Sequence, residues 1–197
     1  KGLGLLLFSA LVSLALFTVV ESLFVKWWLA AWGEVVVEHF FLRPAGSDLP
    51  PPQKKIWRRW RSLIITWDFL ALVIFIFAFS AFLPQFPFWL LAFFASVGGV
   101  YLTLLSWQEY FVWPGKRFFL WLAVFFLLLW EWLWVIHLLP LGYLAAGVLV
   151  VWPWYLAELL ARFQLSPEGI SWRKQISFLM INLLLYIGLL VFFVKWI

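Results

Sequence analysis

Apolar residues fill this chain in blocks of about twenty, separated by short polar or proline-bearing breaks. A helix rises about 1.5 Å per residue, so about twenty apolar residues cross a bilayer core of about 30 Å. Six blocks reach that length, at about 3–24, 62–83, 88–112, 118–139, 141–162 and 175–194. The breaks carry turn chemistry: Leu83-Pro84-Gln85-Phe86-Pro87, Trp113-Pro114-Gly115-Lys116-Arg117, Pro140 with Gly142, and Ser166-Pro167-Glu168-Gly169. After the first block, residues 34–42 set Val35, Val36, Val37, Phe40 and Phe41 beside Glu34, Glu38 and His39. That mixture suits a short helix lying in the head-group region. The run 3–23 is too long for a signal-peptide core and lacks a small-x-small cleavage site, so it reads as a retained span. The pattern predicts an all-α integral membrane protein, a compact bundle of six transmembrane helices with one interfacial helix after the first span. Residues 1–197 are expected to form a single domain.

The one long polar stretch, residues 43–61, sharpens this into a topology. It carries Arg43, Lys54, Lys55, Arg58, Arg59 and Arg61, and Gly46, Asp48 and Pro50-Pro51-Pro52 make it a stiff, helix-breaking connector. Basic residues beside spans stay on the cytoplasmic side. With this block inside, the next inside connections hold Lys116, Arg117, Arg162, Arg173 and Lys174, while the hairpins 84–87 and 140–141 hold no basic residue. A wrong span count would scramble that alternation. Six spans with both termini outside are therefore expected, in a bacterial inner membrane or its equivalent.

Composition excludes the alternatives. The chain is 66% hydrophobic and 12% charged with a mean hydropathy of +1.03, which no soluble fold could hide. The net charge of +5 sits beside spans, so Lys54, Lys55, Arg58, Arg59 and Arg61 are read as contacts for anionic lipid head groups rather than for nucleic acid. Without cysteine there is no thiolate chemistry, disulfide or Cys-ligated metal. Of the seventeen tryptophans, Trp27, Trp28, Trp32, Trp57, Trp60, Trp107, Trp113 and Trp172 fall near the inner interface and Trp89 and Trp196 near the outer one, as aromatic belts. Trp130, Trp132, Trp134, Trp152 and Trp154 lie deeper.

Ionisable groups inside a bilayer need a partner or a purpose. Glu21, Asp68, Glu109 and Glu158 come from four spans, each within about two turns of the inner end, with Asn182 at similar depth. If their faces converge they form an acidic vestibule; otherwise each pairs locally, Glu158 with Arg162 at i, i+4 being the plain case. Glu131 lies among Trp130, Trp132 and Trp134, and Trp152-Pro153-Trp154 falls at comparable depth in the next span. A carboxylate among indoles is the chemistry of an organic-cation site; a neutral carboxyl hydrogen-bonded to an indole or a freed carbonyl is the structural alternative. Pro153 lacks an N–H, which leaves the Leu149 carbonyl without its helical donor. Glu34, Glu38 and His39 lack metal-site spacing, and His137 stands alone in the sequence. No Gly-x-Ser-x-Gly, His-Glu-x-x-His or P-loop motif is present.

Three functions fit. The first is a non-catalytic subunit packing against other membrane helices, lipids or apolar cofactors. The second is a small transporter or channel subunit with an aromatic-lined cation site, and the third a membrane-embedded enzyme on a lipid or peptide. No particular cofactor is implied. The direction in which the deep indoles and inner carboxylates face separates the first two.

Overall fold

A computed structural model of the chain describes residues 7–14, 51–108, 110, 116–165 and 172–193. These residues are helix or tight turn, with no strand among them. The helices are α1 (7–14), α2 (Pro51–Phe82), α3 (Phe88–Trp107), α4 (Lys116–His137), α5 (Tyr143–Leu165) and α6 (Trp172–Phe193). The segments Ile56–Phe82, Phe88–Trp107, Phe118–His137, Tyr143–Leu165 and Gln175–Phe192 are each long and apolar enough to cross a membrane. The chain is an all-α integral membrane protein. The first span beyond residue 14, the interfacial helix 34–42 and the connector before residue 51 lie outside the described residues.

Helix α2 departs most from expectation. It begins at Pro51 rather than near residue 62, so residues 54–61 of the basic stretch are the first turns of a helix and not a connector. Proline suits a first helical position, where its missing N–H has no partner to lose. Gln53, Lys54, Lys55 and the arginines that follow favour helix, so the helix runs beyond the apolar block. Helix α3 ends earlier than its apolar run, at Trp107, where Gln108 N–H bonds to Leu104 O and Tyr110 N–H to Trp107 O, tightening the last turn.

Helices α2, α3, α4 and α5 pack in a closed ring, each against the next and α5 against α2. Contacts fix their directions. Phe69 meets Trp154 at 4.4 Å between centroids, and Ile74 lies against Gly147, so α2 and α5 are antiparallel. Phe77 reaches Phe88 while Phe69 reaches Gly99, so α2 and α3 are antiparallel as well. The ring's centre is filled: Phe69, Val73, Leu102, Trp107, Leu133, Leu149 and Val150 have essentially no exposure. Helix α1 adds to the α2–α3 side through Phe8 and Val12. Helix α6 leans on α5, and among its described side chains only Tyr186 is buried.

The ring gathers the start of α2, the end of α3 and the end of α5 at one end of the molecule. Arg58, Tyr110 and Arg162 meet there.

Candidate functional site

The polar residues of that end are built on Glu158, in the last two turns of α5. Its side chain is 2% exposed. A carboxylate so enclosed needs hydrogen-bond donors, and two neighbours supply them. Ser106 Oγ, from the last turn of α3, donates to Oε1 at 2.5 Å, and Arg162 Nη2, one turn further along α5, approaches Oε2 at 3.4 Å. The i, i+4 pairing expected from the sequence is therefore present. The hydroxyl of Ser106 is an addition that spacing within α5 could not reveal.

Tyr110 sits just beyond α3 and carries two cations. The Arg162 guanidinium carbon lies 4.9 Å from its ring centroid and that of Arg58 lies 5.4 Å away. A guanidinium is drawn to the negative face of an aromatic ring. Arg61, one turn after Arg58, is buried and lies 5.2 Å from the Trp57 ring. Arg59 is exposed. One layer deeper, Thr103 accepts from Trp154 Nε1 at 3.0 Å and donates to the Gly99 carbonyl at 2.8 Å. Trp107 is fully buried and packs edge-on against Phe118 and Phe125. It is a core residue rather than a member of an interfacial belt, because it faces α4.

Asp68 forms a separate polar contact with α1. It is completely buried, accepts from Ser9 Oγ at 2.7 Å, and its second oxygen has no hydrogen-bond partner among the described residues. Among the described residues Asp68 and Glu158 share no hydrogen-bond partner, Asp68 bonding to α1 and Glu158 to α3. Asn182 bonds within its own helix, to the Phe178 carbonyl at 2.8 Å. Glu21, Glu109, Glu34, Glu38 and His39, together with the side chains of Lys54 and Lys55, lie outside the described residues.

The aromatic site expected around Glu131 is not assembled. Glu131 is exposed on the outer face of α4, as is Trp134, while Trp154 points inward to Thr103. Trp130 packs edge-on against Phe93 and Phe126, and Trp152 is half-buried. Leu129, Leu133 and Ile136 take the buried face of α4, which puts position 131 on the outer face of this bundle, away from the freed carbonyl. The freed carbonyl has been found by other donors. Leu149 O accepts from Trp132 Nε1 at 3.1 Å and from Tyr186 Oη at 2.9 Å. Sequence reasoning misses Tyr186 of α6, because nothing sets a lone Tyr in an apolar span apart. His137 stacks on Phe88, ring to ring at 3.6 Å. Among the described residues, no group of three His, Cys, Asp or Glu side chains could hold a metal ion.

No protein-family model, curated protein or solved structure matches this chain.

Proposed function

We infer that this chain is a non-catalytic membrane subunit, a filled four-helix scaffold that presents α4 and α6 to other membrane helices, lipids or apolar cofactors. One observation carries the reading: among the described residues, Trp132, Trp154, Tyr186, Ser106 and Glu158, which could have lined a transport site, are engaged in holding helices together. Trp132 and Tyr186 tie α4 and α6 to the Leu149 carbonyl of α5, Trp154 ties α5 to α3, and Ser106 ties α3 to Glu158. The ring centre they surround is packed with Phe69, Leu102, Leu133 and Leu149. Glu131, the residue on which a cation site depended, lies outside it. The outward surfaces are apolar: Leu120, Leu127 and Leu128 on α4, and Ile181, Leu184 and Ile187 on α6 are all exposed.

In this reading the Arg58–Arg162 end faces the cytoplasm of a bacterial inner membrane or its equivalent, with both termini on the other side. Support comes from the excess of basic over acidic residues at that end and their absence from the 84–87 and 140–141 hairpins.

The test is migration of the tagged chain after extraction from its native membrane in a mild detergent. A subunit travels in a discrete complex well above its own 23.3 kDa. The pair Leu184→Gln and Ile187→Gln on α6 should release it as the free chain. Migration as the free chain from the native membrane would overturn the reading.

A further inference from the structure

The arginine pair on Tyr110 goes beyond the subunit reading and stands independently of it. Each guanidinium offers five N–H donors and no acceptor. Of the donors on Arg58 and Arg162, a single one reaches an acceptor among the described residues, Arg162 Nη2 on Glu158 at a long 3.4 Å. Arg58 Nε and Arg162 Nε are buried without a hydrogen-bond partner among those residues. Glu158, the carboxylate that the described residues bring to this end, is already engaged on both oxygens by Ser106 and Arg162. Two like charges drawn onto one ring repel each other, and a ring quadrupole offsets only part of that repulsion. Among the described residues, the arrangement is rich in planar donors and offers them no carboxylate beyond Glu158. Tyr110 itself is 43% exposed, so the pair can be approached from outside the bundle.

We propose that Arg58 and Arg162, held on Tyr110 at the junction of α2, α3 and α5, form a binding site for a phosphate oxyanion. The forked donor geometry of guanidinium matches phosphate oxygens, and phosphate supplies acceptors for the donors that no described residue meets. The site differs from diffuse attraction of a basic helix to a membrane surface, because it assigns binding to two particular side chains. Arg59, adjacent in sequence but exposed and absent from the ring, takes no part. The phosphate belongs either to an anionic phospholipid head group or to a free phosphate.

The experiment is native mass spectrometry of the full chain in a phosphate-free detergent, titrated with dioleoylphosphatidylglycerol, dioleoylphosphatidylcholine or inorganic phosphate. One molecule of phosphatidylglycerol or one phosphate should be retained, with phosphatidylcholine weaker. Arg58→Gln leaves the Glu158–Arg162 pair intact and should weaken retention by about tenfold or more, the loss of a charge-assisted fork. Arg59→Gln, which removes the same formal charge, should leave it within about twofold. Arg58→Lys keeps charge without the fork and should fall between them, which covers the case of a poorly folded Gln variant. Displacement of the lipid by millimolar inorganic phosphate identifies a site that takes free phosphate; retention against it identifies the membrane lipid as the source. Equal weakening by Arg58→Gln and Arg59→Gln, or wild-type retention in Arg58→Gln, overturns the proposal.

Discussion

At the scale of single residues, the structure is organised by what becomes of unpaired polar atoms. Pro153 denies the Leu149 carbonyl its helical donor, and the carbonyl then accepts from Trp132 and Tyr186, joining three helices at one oxygen. Hydrogen bonds of this kind between membrane helices contribute about 0.6 kcal/mol on average and about 1.7 at most. Tyr186→Phe should therefore destabilise the chain by about 1 kcal/mol in reversible unfolding in bicelles. Placed on Pro153→Ala, which restores an N–H to compete for the same carbonyl, the change should cost less; an equal cost in both backgrounds would show that the proline does not set up the contact. Glu131 gives the contrasting case. Because Glu131 faces outward within the apolar span Phe118–His137, where an ionisable group is costly, Glu131→Gln should not lower stability and should not alter retention of an organic cation such as tetraphenylphosphonium. Loss of cation retention in that variant would restore the aromatic site. The open carbonyl was legible from the sequence because a proline's missing donor acts at a fixed offset within one helix. The donors that reached it, and the face on which Glu131 lies, were not, because they depend on how α4 and α6 rotate against α5. The same holds for Ser9, Ser106 and Tyr110: each is ordinary in its own stretch of chain and acquires a role only opposite Asp68, Glu158 or the arginine pair.

At the scale of elements, length and apolarity settled most of the helix placement, since a bilayer demands helices of about twenty residues and leaves little choice. The described helices α3 to α6 fall where the apolar blocks are, displaced by a few residues at the ends. The miss at α2 has a physical cause: hydropathy marks where a helix is apolar, whereas Pro51 and the Lys- and Arg-rich turns after it govern where it starts. How closely the helices approach was also hidden, and here small residues decide. A Cβ on Gly147 would collide with Ile74 Cγ1, and one on Gly99 would lie 2.7 Å from the rigid Phe69 ring. Neither neighbour can swing aside as the end of a long side chain could. Gly147→Ala and Gly99→Ala should therefore each cost about 1–3 kcal/mol by forcing α2 away from α5 or α3. At Gly188 on α6 an added methyl would meet no described atom within 4 Å, so Gly188→Ala should be neutral or stabilising by up to about 1 kcal/mol through helix propensity. Unfolding midpoints of the three variants check the contrast, and equal effects at Gly147 and Gly188 would deny that α2 and α5 touch there.

At the scale of the whole molecule, the question is which way the arginine end faces. The ring of α2 to α5 brings Arg58 and Arg162 to one end, and the turn 83–87 leaves from the opposite end of α2. Gln53 lies in the first turn of α2 and Gln85 in the hairpin after it, so 27 residues of apolar span, Ile56–Phe82, separate them. At about 1.5 Å per residue that span exceeds the bilayer core of about 30 Å, so the two positions are expected in opposite aqueous phases. Basic residues are held back from crossing while neutral hairpins are not, so the proposed orientation predicts Gln53 in the cytoplasm and Gln85 outside. The chain has no cysteine, so Gln53→Cys and Gln85→Cys each create the sole thiol without a background to remove. A membrane-impermeant maleimide added to intact cells should label Gln85→Cys and reach Gln53→Cys only after the membrane is opened. The reverse order would place the arginine pair outside, where the phosphate site would face the opposite leaflet. Labelling of both from one side would mean that α2 does not cross the membrane, and the bundle's place in the bilayer would fail with it.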